Sequence, residues 1–160
     1  MSGHVTQYAI DSNTGTLKLV DSVPSVPPEL GMKWGQPQAP IGAAPAAAPK
    51  PDDKPPIWAA DLRLTPNGKF LYTTERNTDK IALFTVAPRT GKLTYVTNFA
   101  TERQPRGINI DPSGRYLIAS GEKSDQLSVY RIDQATGKLS DPMRYPVGKG
   151  ANWIEIVEVK

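Results

Sequence analysis

Apolar side chains recur along this chain with a step of two. Leu62 and Leu64, Ile81 and Leu83, Ile108 and Ile110, and Leu127 and Val129 each sit two positions apart, in short runs rich in Val, Ile, Tyr and Phe. That step is the period of a β-strand, and it predicts strands near 58–64, 69–74, 80–86 and 92–98, then near 105–111, 115–119, 126–132 and 138–144. The punctuation between runs agrees. Pro66-Asn67-Gly68 and Pro112-Ser113-Gly114 separate first from second strands, because proline presets the first turn angle and glycine accepts a positive φ. Thr90-Gly91-Lys92 and Thr136-Gly137-Lys138 do the same between third and fourth strands. Pro142 falls inside the last predicted strand, which restricts that strand to the outer edge of its sheet.

The two groups of four strands are copies of one unit. The segment beginning at Ala60 aligns without a gap on the one beginning at Arg106, 46 positions later, pairing Pro66 with Pro112, Gly68 with Gly114, Leu71 with Leu117, Asp79 with Asp125 and Phe84 with Tyr130. A repeat of this length built from strands implies propeller blades rather than a helical array. Val5–Ile10 followed by Thr14-Gly15-Thr16-Leu17 reproduces a third and fourth strand, and Asn152–Ile156 lines up with the first strand at Arg106–Ile110. The expected fold class is therefore all-β: a β-propeller fragment of four-stranded antiparallel blades, with two whole blades plus parts of others. Residues 1–21 would be the outer two strands of a partial blade, 57–102 and 103–149 complete blades, and 150–160 the inner strand of a closing blade. Such an inventory does not close a ring by itself, since each blade buries its faces against two neighbours. The missing blades are expected from a second copy or a separate chain.

Composition sets the remaining segment apart. Ten of the 16 prolines lie between Pro24 and Pro56, around an Ala/Pro-rich centre at Ala39–Lys50. Residues 22–56 are read as a loop between blades, partly disordered, because mixed alanine and proline give extended chain with little to pack. Trp34 within it is either an isolated apolar anchor or a pin against the propeller face. The chain has no cysteine and one histidine, His4. Disulfides, thiolate metal sites and cysteine nucleophiles are thereby excluded within it; because its single histidine sits at the N-terminal edge, where order is least expected, neither a Ser-His-Asp triad nor a multi-histidine metal site is expected, and no metal or cofactor is expected. Nineteen basic against 16 acidic residues give a net charge of +3. That balance is too weak and scattered for nucleic acid but suits an anionic small molecule. No long apolar run or basic leader stands out, so neither a membrane partner nor export is expected, and the location expected is cytoplasmic.

Trp58-Ala-Ala-Asp-Leu-Arg-Leu-Thr-Pro-Asn-Gly-Lys-Phe-Leu-Tyr72, Glu75-Arg76-Asn77, Gln104-Pro-Arg-Gly-Ile-Asn-Ile-Asp-Pro-Ser-Gly-Arg-Tyr-Leu-Ile118 and Gly148-Lys-Gly-Ala-Asn-Trp153, in this order and separation, resemble the C-terminal part of the 6-phosphogluconolactonase family of seven-bladed propellers. The resemblance spans essentially the whole chain apart from the Ala/Pro insert. It implies hydrolysis of 6-phosphoglucono-δ-lactone to 6-phosphogluconate in the pentose phosphate pathway, without a metal, at the mouth of the central channel. It also implies further blades, with a Gly-Pro-Arg-His type segment, ahead of the part seen here. Relatives with the same fold include a carboxymuconate cyclase, so fold leaves the lactone open. The alternative is a non-catalytic propeller remnant or self-associating interaction module.

Two residues carry the expected chemistry. Arg106 opens an inner strand and matches the family's Gln-Pro-Arg motif; its guanidinium either holds a phosphate or polarises a lactone carbonyl, or is tied to a neighbouring blade by a salt bridge. Asp61, in the Ala-Ala-Asp motif, either orients that arginine or acts as general base toward water, or is a hydrogen-bond acceptor between blades. Arg76, Gln104, Lys123 and Asn152 are the candidate substrate-binding residues. Arg76 is the most pointed of them, because the same position of the next repeat is Glu122, so the fold does not itself demand a base there. Asp79 and Asp125 recur in both blades and are read as turn caps. Trp58 and Trp153 are read as packing at strand starts, with the covering of a sugar ring at the channel mouth as the alternative, and Phe84 and Tyr130 as blade core.

Overall fold

The computed structural model describes residues 3–35 and 54–158. The Ala/Pro-rich centre of the loop, with its expected disorder, lies outside the described residues. Among the described residues, ten strands form three antiparallel sheets. The first is a hairpin of β1 (His4–Ile10) and β2 (Leu17–Pro24). The second holds β3 (Ala59–Leu64), β4 (Phe70–Glu75), β5 (Lys80–Val86) and β6 (Leu93–Ala100), in that spatial order. The third holds β7 (Pro105–Ile110), β8 (Tyr116–Gly121), β9 (Gln126–Arg131) and β10 (Met143–Pro146), likewise in sequence order. This is the meander of propeller blades, and among the described residues no helix is long and apolar enough to cross a membrane.

The repeat is reproduced to the level of individual hydrogen bonds. Gly68 N–H donates to Thr65 O and Gly114 N–H to Asp111 O, both at 2.8 Å. At the other turn Gly15, Gly91 and Gly137 donate to the carbonyls of Asp11, Ala87 and Asp133, again at 2.8 Å each, with φ near 70° in all three glycines. Where that turn opens on aspartate, the carboxylate reinforces it. Asp133 Oδ1 accepts from the Ala135 and Thr136 N–H groups and the Thr136 hydroxyl, and these bonds hold its pKa below the usual carboxylate value.

Both faces of the central strands are buried, as stacked blades require. On β4 and β5 every residue from Phe70 to Glu75 and from Ile81 to Phe84 is buried. Tyr72, Ile81 and Leu83 face the following blade and meet Ile108, Leu117, Ala119 and Tyr130, while Leu71, Ala82 and Phe84 turn the other way onto Val5 of the hairpin. Phe84 and Tyr130 are each 1% exposed at the same position of successive blades, and the reading of both as blade core holds.

Two strands differ from expectation. The last strand of the second blade, predicted over 138–144, is displaced to Met143–Pro146. Only an isolated bridge joins Ile132 to Leu139, because the Arg131 N–H donates to the Ser140 hydroxyl and Pro142 brings no N–H. Pro142 thus precedes the strand, and Pro146 ends it at the outer edge of the sheet. The expected inner strand at Asn152–Ile156 forms no ladder. That segment lies against β7, where Asn109 Nδ2 donates to Ile154 O at 3.1 Å, and among the described residues no second strand lies on its far side to pair with it.

Between the hairpin and the first whole blade, the described part of the proline-rich segment has a short 3-10 turn at Pro28–Leu30 and a bridge from Lys33 to Pro56. Trp34 is 71% exposed and meets the His4 ring edge-on, with 6.2 Å between ring centroids.

One inter-blade bond makes a direct prediction. The Tyr72 hydroxyl, fully buried, donates to Gly137 O at 2.7 Å, and burial first, with the Asp133 charge second, raises its pKa above the ordinary 10.0. A raised folded value means the stabilisation is complete below pH 10 and is lost as pH climbs beyond it. Tyr72→Phe is expected to cost about 1 kcal/mol at neutral pH and to flatten the fall in stability above pH 10, measured by urea unfolding across pH.

Candidate functional site

A cavity of about 400 Å³ opens where the inner strands begin, lined by Ala59, Ala60, Asp61, Arg76, Arg106, Asn152 and Trp153. Four of the six sequence-selected residues, Asp61, Arg76, Arg106 and Asn152, therefore share one space although they come from β3, the end of β4, β7 and the C-terminal segment.

Local chemistry fixes the first wall. Glu75, buried at the end of β4, accepts the Trp58 N–H at Oε1 and both the N–H and hydroxyl of Thr78 at Oε2, all at 2.7 Å. This clamps the turn after β4 onto the approach to β3, and Arg76 N–H completes the clasp by donating to Trp58 O. The Arg76 guanidinium is consequently laid over the Trp58 indole, 3.7 Å from the ring centroid. Only 7% of Arg76 is exposed, and its Nε has no hydrogen-bond partner among the described residues. Burial first, and the neighbouring Arg106 charge second, lower its pKa, while Glu122 and Glu75 pull the other way. A guanidinium keeps its charge through such a shift. The result is a buried, underbonded cation facing a cavity.

Arg106, at the start of β7, is 46% exposed, and its Nη1 stands 3.5 Å from Glu122 Oε2. The same carboxylate oxygen is 3.7 Å from Arg76 Nη1. Asp61 does not pair with Arg106. Its Oδ1 accepts from the Leu62 N–H at 2.8 Å and from Arg63 Nη1 at 2.6 Å, and its Oδ2 accepts the Ile108 N–H at 3.1 Å across the blade boundary. The structure thus gives Asp61 the inter-blade acceptor role that the sequence had left as an alternative, and leaves one of about four lone-pair sites open.

Gln104 and Lys123 are not brought into the cavity. Gln104 works through its backbone: with φ of 50°, its N–H donates to Asp79 Oδ1 at 2.7 Å and its carbonyl accepts the Glu122 N–H at 3.0 Å. Asp79 accordingly reaches the next blade rather than only capping its own turn. Lys123 is exposed, with its N–H on Arg103 O. Trp153 is 70% exposed on the cavity wall, not packed at a strand start, because no strand forms there to pack against.

Sequence reasoning passed over Glu122, Arg63 and Glu102. Arg63 lies two residues from Asp61 on the same strand, hence on the same face, and that spacing was a usable signal. Glu102 is buried, accepting the Ser124 and Ser128 hydroxyls at 2.5 Å each, with Arg144 Nε 3.5 Å away. No pattern in the chain marked it.

Residues 1–156 match the model of a family described as lactonase, 7-bladed beta-propeller. A curated 6-phosphogluconolactonase from Serratia proteamaculans is 40% identical over 158 residues, covering 98% of this chain and 40% of the relative. One from Yersinia pestis is 52% identical over 99 residues, covering 62% of this chain and 30% of the relative. Among solved structures, a Bacteroides fragilis protein carrying a provisional 6-phosphogluconolactonase name superposes with a TM-score of 0.73 at 25% identity, over 98% of this chain and 36% of that one. The chain thus spans about 40% of the length of the longest-matching of these curated relatives. With its repeat, its blade topology and this family match in agreement, the chain belongs to the seven-bladed lactonase β-propellers.

Proposed function

We propose that this chain supplies one wall of a 6-phosphogluconolactonase active site, hydrolysing 6-phosphoglucono-δ-lactone to 6-phosphogluconate in the pentose phosphate pathway. The observation that carries this reading is the convergence of Asp61, Arg76, Arg106 and Asn152 on one cavity that contains a buried, underbonded guanidinium. Two adjacent positive charges, one of them with a buried unpaired donor, suit a phosphate, since a planar fork binds its oxygens in pairs. Arg76 is the phosphate anchor. Arg106, the more exposed of the two, reaches the lactone carbonyl and stabilises the negative charge that develops on its oxygen. Asp61 uses its open lone pair to take a proton from water as the water oxygen bonds to the carbonyl carbon. The tetrahedral intermediate then reforms the carbonyl, the ring C–O bond breaks, and the departing ring oxygen takes up the proton. Asn152 hydrogen-bonds the sugar hydroxyls.

The cavity's remaining wall comes from further blades, joined on the open flanks of the hairpin and of the C-terminal segment. A charged phosphate ester does not diffuse across membranes, which supports a cytoplasmic reaction. The test is proton release from 6-phosphoglucono-δ-lactone and from unphosphorylated glucono-δ-lactone by the completed ring. Catalysis at least about tenfold better for the phosphorylated lactone is expected from two arginines acting on the phosphate. Hydrolysis at only the spontaneous rate would overturn the reading and leave the non-catalytic interaction module in its place.

A further inference from the structure

The two arginines share a single carboxylate oxygen, and the repeat explains why. Glu122 occupies in the second blade the position that Arg76 occupies in the first, and the neighbouring blades bring the two opposite charges to 3.7 Å, next to the arginines that line the cavity. Its backbone is fixed by the bond from its N–H to Gln104 O, next to the start of β7 that carries Arg106. Yet its contacts with Arg76 and Arg106, at 3.7 and 3.5 Å, are longer than the 2.7–2.9 Å of a charge-assisted hydrogen bond. Glu122 therefore balances the charge of both arginines without saturating the donors of either.

Resting on the phosphate-binding reading above, we propose that Glu122 is an internal counter-anion: it holds the arginine pair together in the empty cavity and yields that pair to the incoming phosphate. It is a positioning and selectivity residue, and it takes no part in bond making. In the empty state it offsets the repulsion between Arg76 and Arg106. In the loaded state its charge opposes the bound phosphate, so it sets how tightly a simple anion binds. The two effects have opposite signs, which separates this role from a merely structural one.

The test is Glu122→Gln in the chain as it stands, titrated with inorganic phosphate and followed by the amide resonances of Ala60 and Asp61 and the side-chain Nε resonance of Arg106. The variant is expected to unfold at a lower temperature without phosphate, yet to bind phosphate about threefold more tightly, the size of effect one partly exposed ion pair commands. Phosphate affinity unchanged or weaker in the variant, with the wild type binding at these residues, overturns the role of Glu122 and leaves the phosphate reading intact. Wild type whose cavity resonances do not respond to phosphate overturns both. Should Glu122→Gln fail to fold, Glu122→Asp keeps the charge and withdraws it by one methylene. A smaller gain in phosphate affinity is then expected, and no gain overturns the proposal.

Discussion

Arg106→Ala is expected to slow lactone hydrolysis by the completed propeller about 100- to 1,000-fold while leaving the fold in place. The reasoning is a comparison of sizes. Removing a donor aimed at a developing oxyanion costs about 3–4 kcal/mol in the transition state. For stability, in contrast, Arg106 is nearly half exposed and its ion pair with Glu122 is 3.5 Å long, so its loss is worth at most about 1 kcal/mol. Arg106→Lys should recover part of the rate, because the charge returns but the planar fork does not. Initial rates of proton release alongside thermal unfolding of each variant decide the matter. A rate within a few-fold of wild type would remove Arg106 from the reaction.

Gly121→Ala is expected to be the most damaging single-methyl change in the second blade. Gly121 ends β8 opposite Pro105, at the irregular register between Pro105 and Gly107. A Cβ built there collides outright with the Arg103 carbonyl oxygen and comes within 2.9 Å of Glu102 Cβ. Neither neighbour can step aside, since one is backbone and the other belongs to a buried carboxylate bonded to Ser124 and Ser128. Overpacking of this kind costs about 2–3 kcal/mol. Because Glu122 is the next residue and Arg106 follows Pro105, the strain would fall on the cavity wall as well. Chemical denaturation should show the loss, and phosphate titration should show weakened binding in whatever fraction stays folded. Wild-type stability in this variant would mean that the chain around Arg103 has room the structure does not show.

Much of the architecture was legible before any coordinates, for a physical reason. Strands packed between neighbouring blades must carry short runs of apolar residues, and the turns between them need glycine at positive φ; both are local demands written on consecutive residues. The repeat then multiplied each signal by two, and Phe84 with Tyr130, or Gly91 with Gly137, fell where the alignment put them. The displaced β10 was harder to read. There a hydroxyl, Ser140 Oγ, took the place of a backbone carbonyl, and side chains that compete with the backbone leave no periodic mark.

The cavity was legible in part. Asp61, Arg76, Arg106 and Asn152 were found because blade geometry sends the ends of inner strands toward one axis. Gln104 and Lys123 sit as close in sequence, but one turns its backbone to the structure and the other its side chain to solvent. Glu122 is the harder case: the contrast between Arg76 and its repeat partner bears equally on both residues, but only the packing of the two blades shows that they meet. Glu102 could not have been found, since burial of a carboxylate depends on three blade positions that no short motif unites.

The rim formed by β10 has a consequence for colloidal behaviour. Pro142 and Pro146 leave only Met143, Arg144 and Tyr145 between them with an amide hydrogen, and alternation turns just part of those outward. A stray strand arriving at that border would find too few donors to extend the sheet, and a basic side chain in the middle of them. Proline at a sheet margin is thus a guard against runaway stacking, protecting a protein made of many small sheets from the self-templating to which bare sheet borders are prone.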